Sequence, residues 1–315
     1  GSHIPESLSI PIKLSEPLRY GENPHQLAGF YTEVDKDLPW IQLQGKPISY
    51  NNYADMDSAF KIIKEFDDNA CVIIKHANPC GFGIGSSTKD SFEKAVSTDP
   101  ISYFGGIVGF NKKVDAGTAE ELKKSFLECI IAPEYSEEAL EAFKSKKNLR
   151  IVLKSKKEEK QIFDLRSVAG GYLYQQSDYF EEIIRTCDVV TELKPTEEQW
   201  KALNLGWKLV RFVKSNGIVL ADSDQLIGVG AGQMSRIDSV KIAIRKAGEA
   251  GLNLDGSILA SDAFFPFPDS IEIAADYGIK SIIHPGGSIK DDDIILKANQ
   301  LGLSMVLTGK RHFYH

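Results

Sequence analysis

The sequence predicts an α/β fold, and three observations carry that prediction. Short apolar runs rich in β-branched residues recur at 70–74, 107–110, 128–133, 217–221 and 281–283, and such runs read as strands buried on both faces. Between them lie stretches with apolar residues at helical spacing, such as Met56, Phe60, Ile63 and Phe66, or Trp200, Leu203, Trp207 and Val210. The composition is that of a globular chain: 315 residues, 42% hydrophobic and 26% charged, enough for one large or two ordinary domains with real cores. Strands that alternate with helices place the chain in the α/β class.

Charge and cysteine usage narrow the partners. A net charge of −7 and a pI near 5.5 argue against a broad nucleic-acid-binding face, so any bound phosphate should be small and held by a few placed cations. No apolar run approaches the roughly 20 residues that span a bilayer, so no membrane partner is expected. Four scattered cysteines, Cys71, Cys80, Cys129 and Cys187, suit free thiols in a reducing cytosol. Gly1-Ser2-His3 reads as a tag remnant and no secretory signal opens the chain, so the expected location is the cytoplasm.

Residues 4–17, with Pro5, Pro11 and Pro17, read as an extended lead-in rather than a folded element. Arg19 to Gln26 is dense in polar and turn residues and reads as an ordered loop. Asn51-Asn52 reads as a turn and N-cap to a helix that Ala54, Asp55 and Asp57 begin. The run at 70–74 then delivers Lys75 and His76 to a strand end, and Asn78-Pro79-Cys80-Gly81 is expected to force a turn. In an open α/β sheet, ligands sit beyond the carboxyl ends of the strands. Adjacent like charges repel, which favours a neutral imidazole beside a cationic ammonium, one a base and the other an electrostatic stabiliser.

Residues 91–96 read as helical. Gly105-Gly106 then enters the next strand and permits a tight turn or close approach of a ligand. A helix from about 118 to 126 leads to the strand that Pro133 stops, with Glu128 the one acid at its entrance. Ser136 is the expected N-cap of the next helix, and the charge run at 144–160 reads as solvated surface around a strand at 151–153. A pause falls at Gly170-Gly171. Thr196-Glu197-Glu198-Gln199 is a capping-box pattern, and Lys214-Ser215-Asn216 sits between its helix and the strand at 217–221. The glycine-rich stretch at 228–236 feeds a helix and suits an anion. The scheme repeats: a strand at 258–260, a helix at 270–277, a strand at 281–283, a loop at 284–288, a helix at about 291–301 and a strand at 304–307. Residues 261–269, with three phenylalanines and two prolines, read as a rigid aromatic loop, a wall for a flat ring with Asp269 as hydrogen-bonding partner, or a core plug.

Two chemistries lose support. A zinc deaminase needs His-x-Glu and Pro-Cys-x-x-Cys, but Asn78 stands two after His76 and Cys80 is followed by Gly-Phe-Gly; no metal is expected. A Ser-His-Asp hydrolase lacks its Gly-x-Ser-x-Gly elbow.

Six motifs in order, Arg19 to His25, Lys75 to Gly81, Ile130 to Pro133, Gly230 to Gln233, Ser261 to Asp269 and the Arg311-His312-Phe313-x-His315 end, resemble the AICAR transformylase part of the bifunctional purine-biosynthesis family. The resemblance covers about residue 16 to the end. It implies two cytidine-deaminase-like α/β/α subdomains without zinc, at 16–190 and 191–315, after a lead-in at 1–15. The family's N-terminal inosine-monophosphate cyclohydrolase domain, of about 200 residues, has no counterpart here, so ring closure is not expected. The implied reaction is transfer of a formyl group from the co-substrate 10-formyltetrahydrofolate to the 5-amino group of AICAR, at sites shared within a homodimer. His76 is implied as base, Lys75 as oxyanion stabiliser and proton donor, and Asn216 as the group that orients the formyl. Arg19 and Arg311 are implied as phosphate clamps, with Tyr20, Asn52, Gly105, Glu128, Phe264 and His315 lining the nucleotide site. Pro266, Phe267, Asp269 and Ser288 are implied on the folate side, and a structural monovalent cation such as potassium is left open. A non-catalytic AICAR- or folate-binding module and a hydrolytic deaminase are the alternatives; the Lys75-His76 pair argues against the first and the missing zinc ligands against the second.

Overall fold

The computed structural model describes residues 4–155, 163–178 and 183–315. A hairpin of β1 (Ile12–Leu18) and β2 (Ala28–Glu33) opens it. Residues 12–17 are thus strand rather than lead-in, because they find a partner in β2 that local sequence does not show. The first half follows as β3 (Trp40–Gln44), α1 (Tyr50–Ile63), β4 (Asn69–Lys75), β5 (Asn78–Gly85), α2 (Thr88–Thr98), β6 (Ile107–Phe110), α3 (Ala116–Leu122), β7 (Cys129–Ala132), α4 (Glu137–Phe143) and β8 (Arg150–Lys154). A second hairpin, β9 (Phe163–Val168) and β10 (Gly171–Gln176), turns at Gly170, which accounts for the pause in the sequence. The second half is β11 (Asp188–Val189), α5 (Glu197–Val210), β12 (Ile218–Ala221), β13 (Leu226–Gly230), α6 (Arg236–Glu249), β14 (Ile258–Ser261), α7 (Asp269–Asp276), β15 (Ser281–His284), α8 (Asp291–Gln300) and β16 (Ser304–Leu307).

The α/β class holds, and the two halves share one wiring. The first sheet has the order β3-β8-β7-β6-β4-β5 and the second β11-β16-β15-β14-β12-β13. In each, three strands are parallel (β6, β7, β8 and β14, β15, β16) and the other pairings are antiparallel. Each sheet is buried on both faces, which is why its strands read as continuous apolar runs. In β4, Val72 and Ile74 face one core while Cys71 and Ile73 face another. The shared core holds α1 and α5 between the inner faces of the two sheets; α2, α3 and α4 cover one outer face and α6, α7 and α8 the other.

Local chemistry fixes the helix starts. Ser49, not the asparagine pair, caps α1, and Asn52 completes its capping box from inside the first turn. Thr196 and Gln199 form the box that opens α5, as the sequence predicts, and Ser136 caps α4. The first two glycines of the glycine-rich stretch have a packing reason. Gly228 and Gly230 lie on β13 against α6, where a Cβ on Gly230 would stand 2.0 Å from the Ser239 carbonyl oxygen. Only glycine lets strand and helix approach this closely. The charge run at 144–160 is β8 and its flanks up to Ser155; its remainder lies outside the described residues.

Candidate active site

The Lys75-His76 segment is a hairpin tip, not the start of a longer turn. Lys75 pairs with Asn78, so Asn78-Pro79-Cys80-Gly81 is the start of β5 and only His76 and Ala77 turn the chain. Both have positive φ, 51° and 61°, the geometry of a two-residue type I′ turn that normally selects Asn or Gly. Two L-residues with Cβ atoms in that region store strain, and such strain is found where the surroundings over-determine the turn. Two side chains supply the restraint. Asp55 on α1 accepts the Ala77 amide at 2.6 Å, and Asn78 accepts the Lys214 amide at 3.0 Å while donating to the His76 carbonyl at 3.0 Å. Burial raises the Asp55 carboxyl, and the Ala77 amide with the nearby His76 and Lys75 charges pull it back.

Because β4 runs antiparallel to β6, Lys75 lies at the amino ends of β6, β7 and β8. The crevice at the carboxyl ends, which the open-sheet rule favours, is on the other side. Lys75 Nζ donates to the Phe104 carbonyl at 2.7 Å. Gly105 beside it has φ 70°, and a Cβ there would come within 3.2 Å of Nζ, so glycine both makes the turn and leaves room for the ammonium. Glu128 follows at the start of β7, paired at 2.7 Å with the buried Arg150 at the start of β8. The first two turns of α1, with Asn52 and Asp55, complete this end. The Arg19–Gly21 loop reaches α1 through the Asn51 carboxamide, which donates to the Glu22 carbonyl at 3.3 Å.

The second half offers its opposite end. Asn216 precedes β12, antiparallel to β14, and so stands at the carboxyl ends of β14, β15 and β16. Its peptide bond to Ser215 is cis. Its carboxamide oxygen accepts Arg236 Nη2 at 2.7 Å, and its Nδ2 donates to the Gln233 and Met234 carbonyls at 2.9 and 3.2 Å. Arg236 also pairs with the fully buried Asp262. Ser215 Oγ donates to the other Asp262 oxygen at 2.5 Å. The carboxyl-terminal segment lies along this loop: the Ser215 amide donates to the Tyr314 carbonyl, the His312 amide to the Asp262 carbonyl, and Lys214 Nζ sits 4.0 Å from the Tyr314 ring centroid. The two ends meet because β5 and β13, the edge strands, approach antiparallel at Gly83 and Gln225. The Lys214–Asn78 hydrogen bond is the link at the site.

Residues 1–246 match the AICARFT/IMPCHase bienzyme family. The chain belongs to that family. The bifunctional purine biosynthesis protein PurH of Bacillus cereus (strain 03BB102) is 49% identical over 320 aligned residues, which cover all of this chain and 62% of that protein. PurH of Lysinibacillus sphaericus (strain C3-41) is 50% identical over 317 residues, 99% of this chain and 62% of that protein. PurH of Halalkalibacterium halodurans is 48% identical over 320 residues. The chain therefore spans about 62% of the length of the relatives it matches.

The residues that the AICARFT/IMPCHase resemblance implied fall into these two ends. Lys75, His76, Gly105, Glu128, Asn52 and the Arg19-Tyr20 loop belong to the first; the Arg19 guanidinium lies 5.6 Å from the Tyr20 ring centroid. Asn216, Phe264, Arg311 and His315 belong to the second, with the Arg311 guanidinium 4.3 Å from the centroid of the Phe313 ring. The aromatic loop divides between its two readings. Phe265 is a core plug, fully buried edge-on to His284, while Phe264 and Phe267 are 38% and 60% exposed as a wall would be. Asp269 opens α7 and accepts the Ser270 amide, and the Ser288 loop is closed by Asp291. Among the described residues no group of three or more His, Cys, Asp or Glu side chains is placed to hold a metal ion, and no helix is long and apolar enough to cross a membrane.

Sequence reasoning missed Asp55, Asn78, Arg150, Arg236 and Asp262 as parts of the site. Asp55 reads as a helix-start residue and Asn78 as a turn former, and nothing local gives away their partners.

Proposed function

We propose that this chain transfers the formyl group of 10-formyltetrahydrofolate to the 5-amino group of AICAR, giving FAICAR and tetrahydrofolate in purine biosynthesis. The observation that carries the reading is the strained His76-Ala77 tip, held by Asp55 on one side and by Asn78 and Lys214 on the other. In this reading the tip carries the base and the cation, and the Lys214–Asn78 hydrogen bond ties it to the loop that bears Asn216, the third group the reaction requires.

The amine of AICAR is a weak nucleophile because its lone pair is delocalised into the ring and the carboxamide. His76 takes its proton as the new C–N bond forms, a role worth roughly 10²–10⁴-fold. Lys75 stabilises the oxyanion and passes a proton to the folate nitrogen as its bond to the formyl carbon breaks. Asn216 donates a hydrogen bond to the formyl oxygen. Lys75 is turned to the Phe104 carbonyl and the Asn216 amide to Gln233 and Met234, so substrate must displace these partners. Arg19 and Arg311 hold the nucleotide phosphate, Glu128 with Tyr20, Asn52, Gly105, Phe264 and His315 the nucleotide body, and Pro266, Phe267, Asp269 and Ser288 the folate. We place the two halves among cytidine-deaminase-like folds, in a cytoplasmic homodimer with shared sites. Exposed apolar residues on both hairpins, Ile12, Leu14 and Tyr31 on one and Leu165, Tyr172 and Leu173 on the other, give a second copy a surface to cover.

Tetrahydrofolate release from AICAR and 10-formyltetrahydrofolate tests the proposal. His76→Ala should lower kcat by roughly 10²–10⁴-fold and Lys75→Ala by roughly 10²–10³-fold, with AICAR affinity little changed. Asp55→Ala, which frees the tip, should cost up to about 10²-fold through misplacement. Full turnover in His76→Ala would refute the mechanism.

A further inference from the structure

Arg150 opens β8 as a buried cation with more than one duty. Its Nε donates to the Pro47 carbonyl at 3.0 Å, and its Nη1 donates to the Glu128 carbonyl at 3.3 Å and to Glu128 Oε2 at 2.7 Å. Gly45 makes the Pro47 contact possible. It has φ 105°, and a Cβ there would stand 2.4 Å from the Leu149 carbonyl oxygen and 2.6 Å from Arg150 Cα. Pro47 lies two residues before Ser49, the cap of α1, whose box includes Asn52. One buried side chain therefore ties the start of β7 to the start of α1.

Glu128 belongs to the Lys75 end. Its amide donates to the Gly106 carbonyl at 3.1 Å, next to Gly105, where a Cβ would come within 3.2 Å of Lys75 Nζ. Side chains alternate along a strand, and Ile73 of β4 shares the outer core with Ile130 of β7, so Lys75 and Glu128 fall on the same face. Only β6 separates their strands, a span of roughly 10 Å. The Glu128 side chain is 36% exposed and that of Arg150 only 9%. Arg150 is too deep to meet a ligand; Glu128 is not.

Arginine suits this place. A planar guanidinium serves a carbonyl and a carboxylate together in fixed geometry, which a single ammonium does not reproduce. A carboxylate held in this way is set before a ligand arrives, so binding costs less ordering. A site built around such an acceptor also rejects a ligand with no N–H to offer.

We propose that Arg150 is the positioning residue through which this end selects its substrate. It engages Oε2 of Glu128 and leaves Oε1 to accept an N–H from a substituent on the substrate ring. In the formyltransferase reading, on which this inference rests, that substituent is the carboxamide of AICAR. Arg150 touches no reacting atom and acts through Glu128.

Calorimetric titration with AICAR, and with 5-aminoimidazole ribonucleotide, which lacks the carboxamide, tests the assignment. The wild type should bind AICAR more tightly than the analogue. Arg150→Met should weaken AICAR binding by roughly tenfold and leave the analogue's affinity unchanged. In turnover the loss should fall on KM for AICAR rather than on kcat, and Arg150→Lys should recover part of it. Added to Glu128→Ala, Arg150→Met should cost AICAR no further affinity, because it acts only through that carboxylate. An Arg150→Met protein that melts lower yet binds both ligands normally, or loses both equally, would overturn the assignment. Should that variant fail to fold, Arg150→Lys is held to the same criterion. A wild type that binds AICAR without releasing tetrahydrofolate, while its Arg150 variants lose the discrimination, would end the formyltransferase reading and keep the role of Arg150. No AICAR binding by the wild type would overturn both.

Discussion

His284 ends β15 fully buried, accepting the Gly286 amide at Nδ1 with Nε2 turned to the Met305 sulfur. Burial, with the Arg236 guanidinium nearby, pushes its imidazole down to about 3. An unfolded histidine titrates near 6.5. Between about 3 and about 6.5 the unfolded chain binds a proton that the native chain refuses, so stability falls as pH falls through that window and is untouched by this group above it. Urea unfolding should show about 2 kcal/mol lost to this group between pH 7 and pH 5, and His284→Gln should flatten the slope. An unchanged slope would contradict neutral burial. At this scale the site was half legible. Lys75 and His76 stand out because they end an apolar run, and Glu128 because it is the lone acid at a strand entrance. Asp55, Asn78 and Arg236 stayed hidden because their partners lie 22, 136 and 20 residues away, and a polar residue far from its partner looks like any solvated one.

Elements whose causes are local were readable: the capping box of α5, the proline that stops β7 and the helical stripes. The β4–β5 hairpin was not, because its tip carries His and Ala where a type I′ turn favours Asn and Gly. Tertiary restraint replaces propensity there. The glycines of β13 were visible, but their reason was not, since an anion loop and a close helix contact call for the same residue. Gly230→Ala separates the two. Against the Ser239 carbonyl it should destabilise by about 1–3 kcal/mol through overpacking, read as a lower melting temperature. An anion loop would instead lose ligand affinity at unchanged stability.

The whole molecule is tied together by α1 and α5, whose buried residues belong to one core shared by both sheets. Arg211 at the end of α5 pairs with Glu65 after α1 at 2.7 Å, both largely buried. Across the sheet edges, Lys94 pairs with Asp224 and Lys246 with Asp99. The two halves should therefore unfold in one transition, with tryptophan fluorescence and far-ultraviolet circular dichroism coincident in urea. Glu65→Ala should lower that transition by about 3 kcal/mol, the cost of removing one partner of a buried ion pair, without splitting it; two separated transitions would mean that the halves are autonomous.

The meeting of β5 and β13 bears on how such a repeat persists. A free sheet edge is a template for other chains, and proteins guard it with charge, proline or cover. Here each half covers the other's edge: the Ile84 amide donates to the Asp224 carbonyl at 2.7 Å, and Thr98 Oγ1 donates to the Leu226 carbonyl at 2.6 Å. Separated, either half would present an adhesive border and half of a shared core to its surroundings. Duplication in this architecture is hard to reverse, because each copy serves as the other's chaperone.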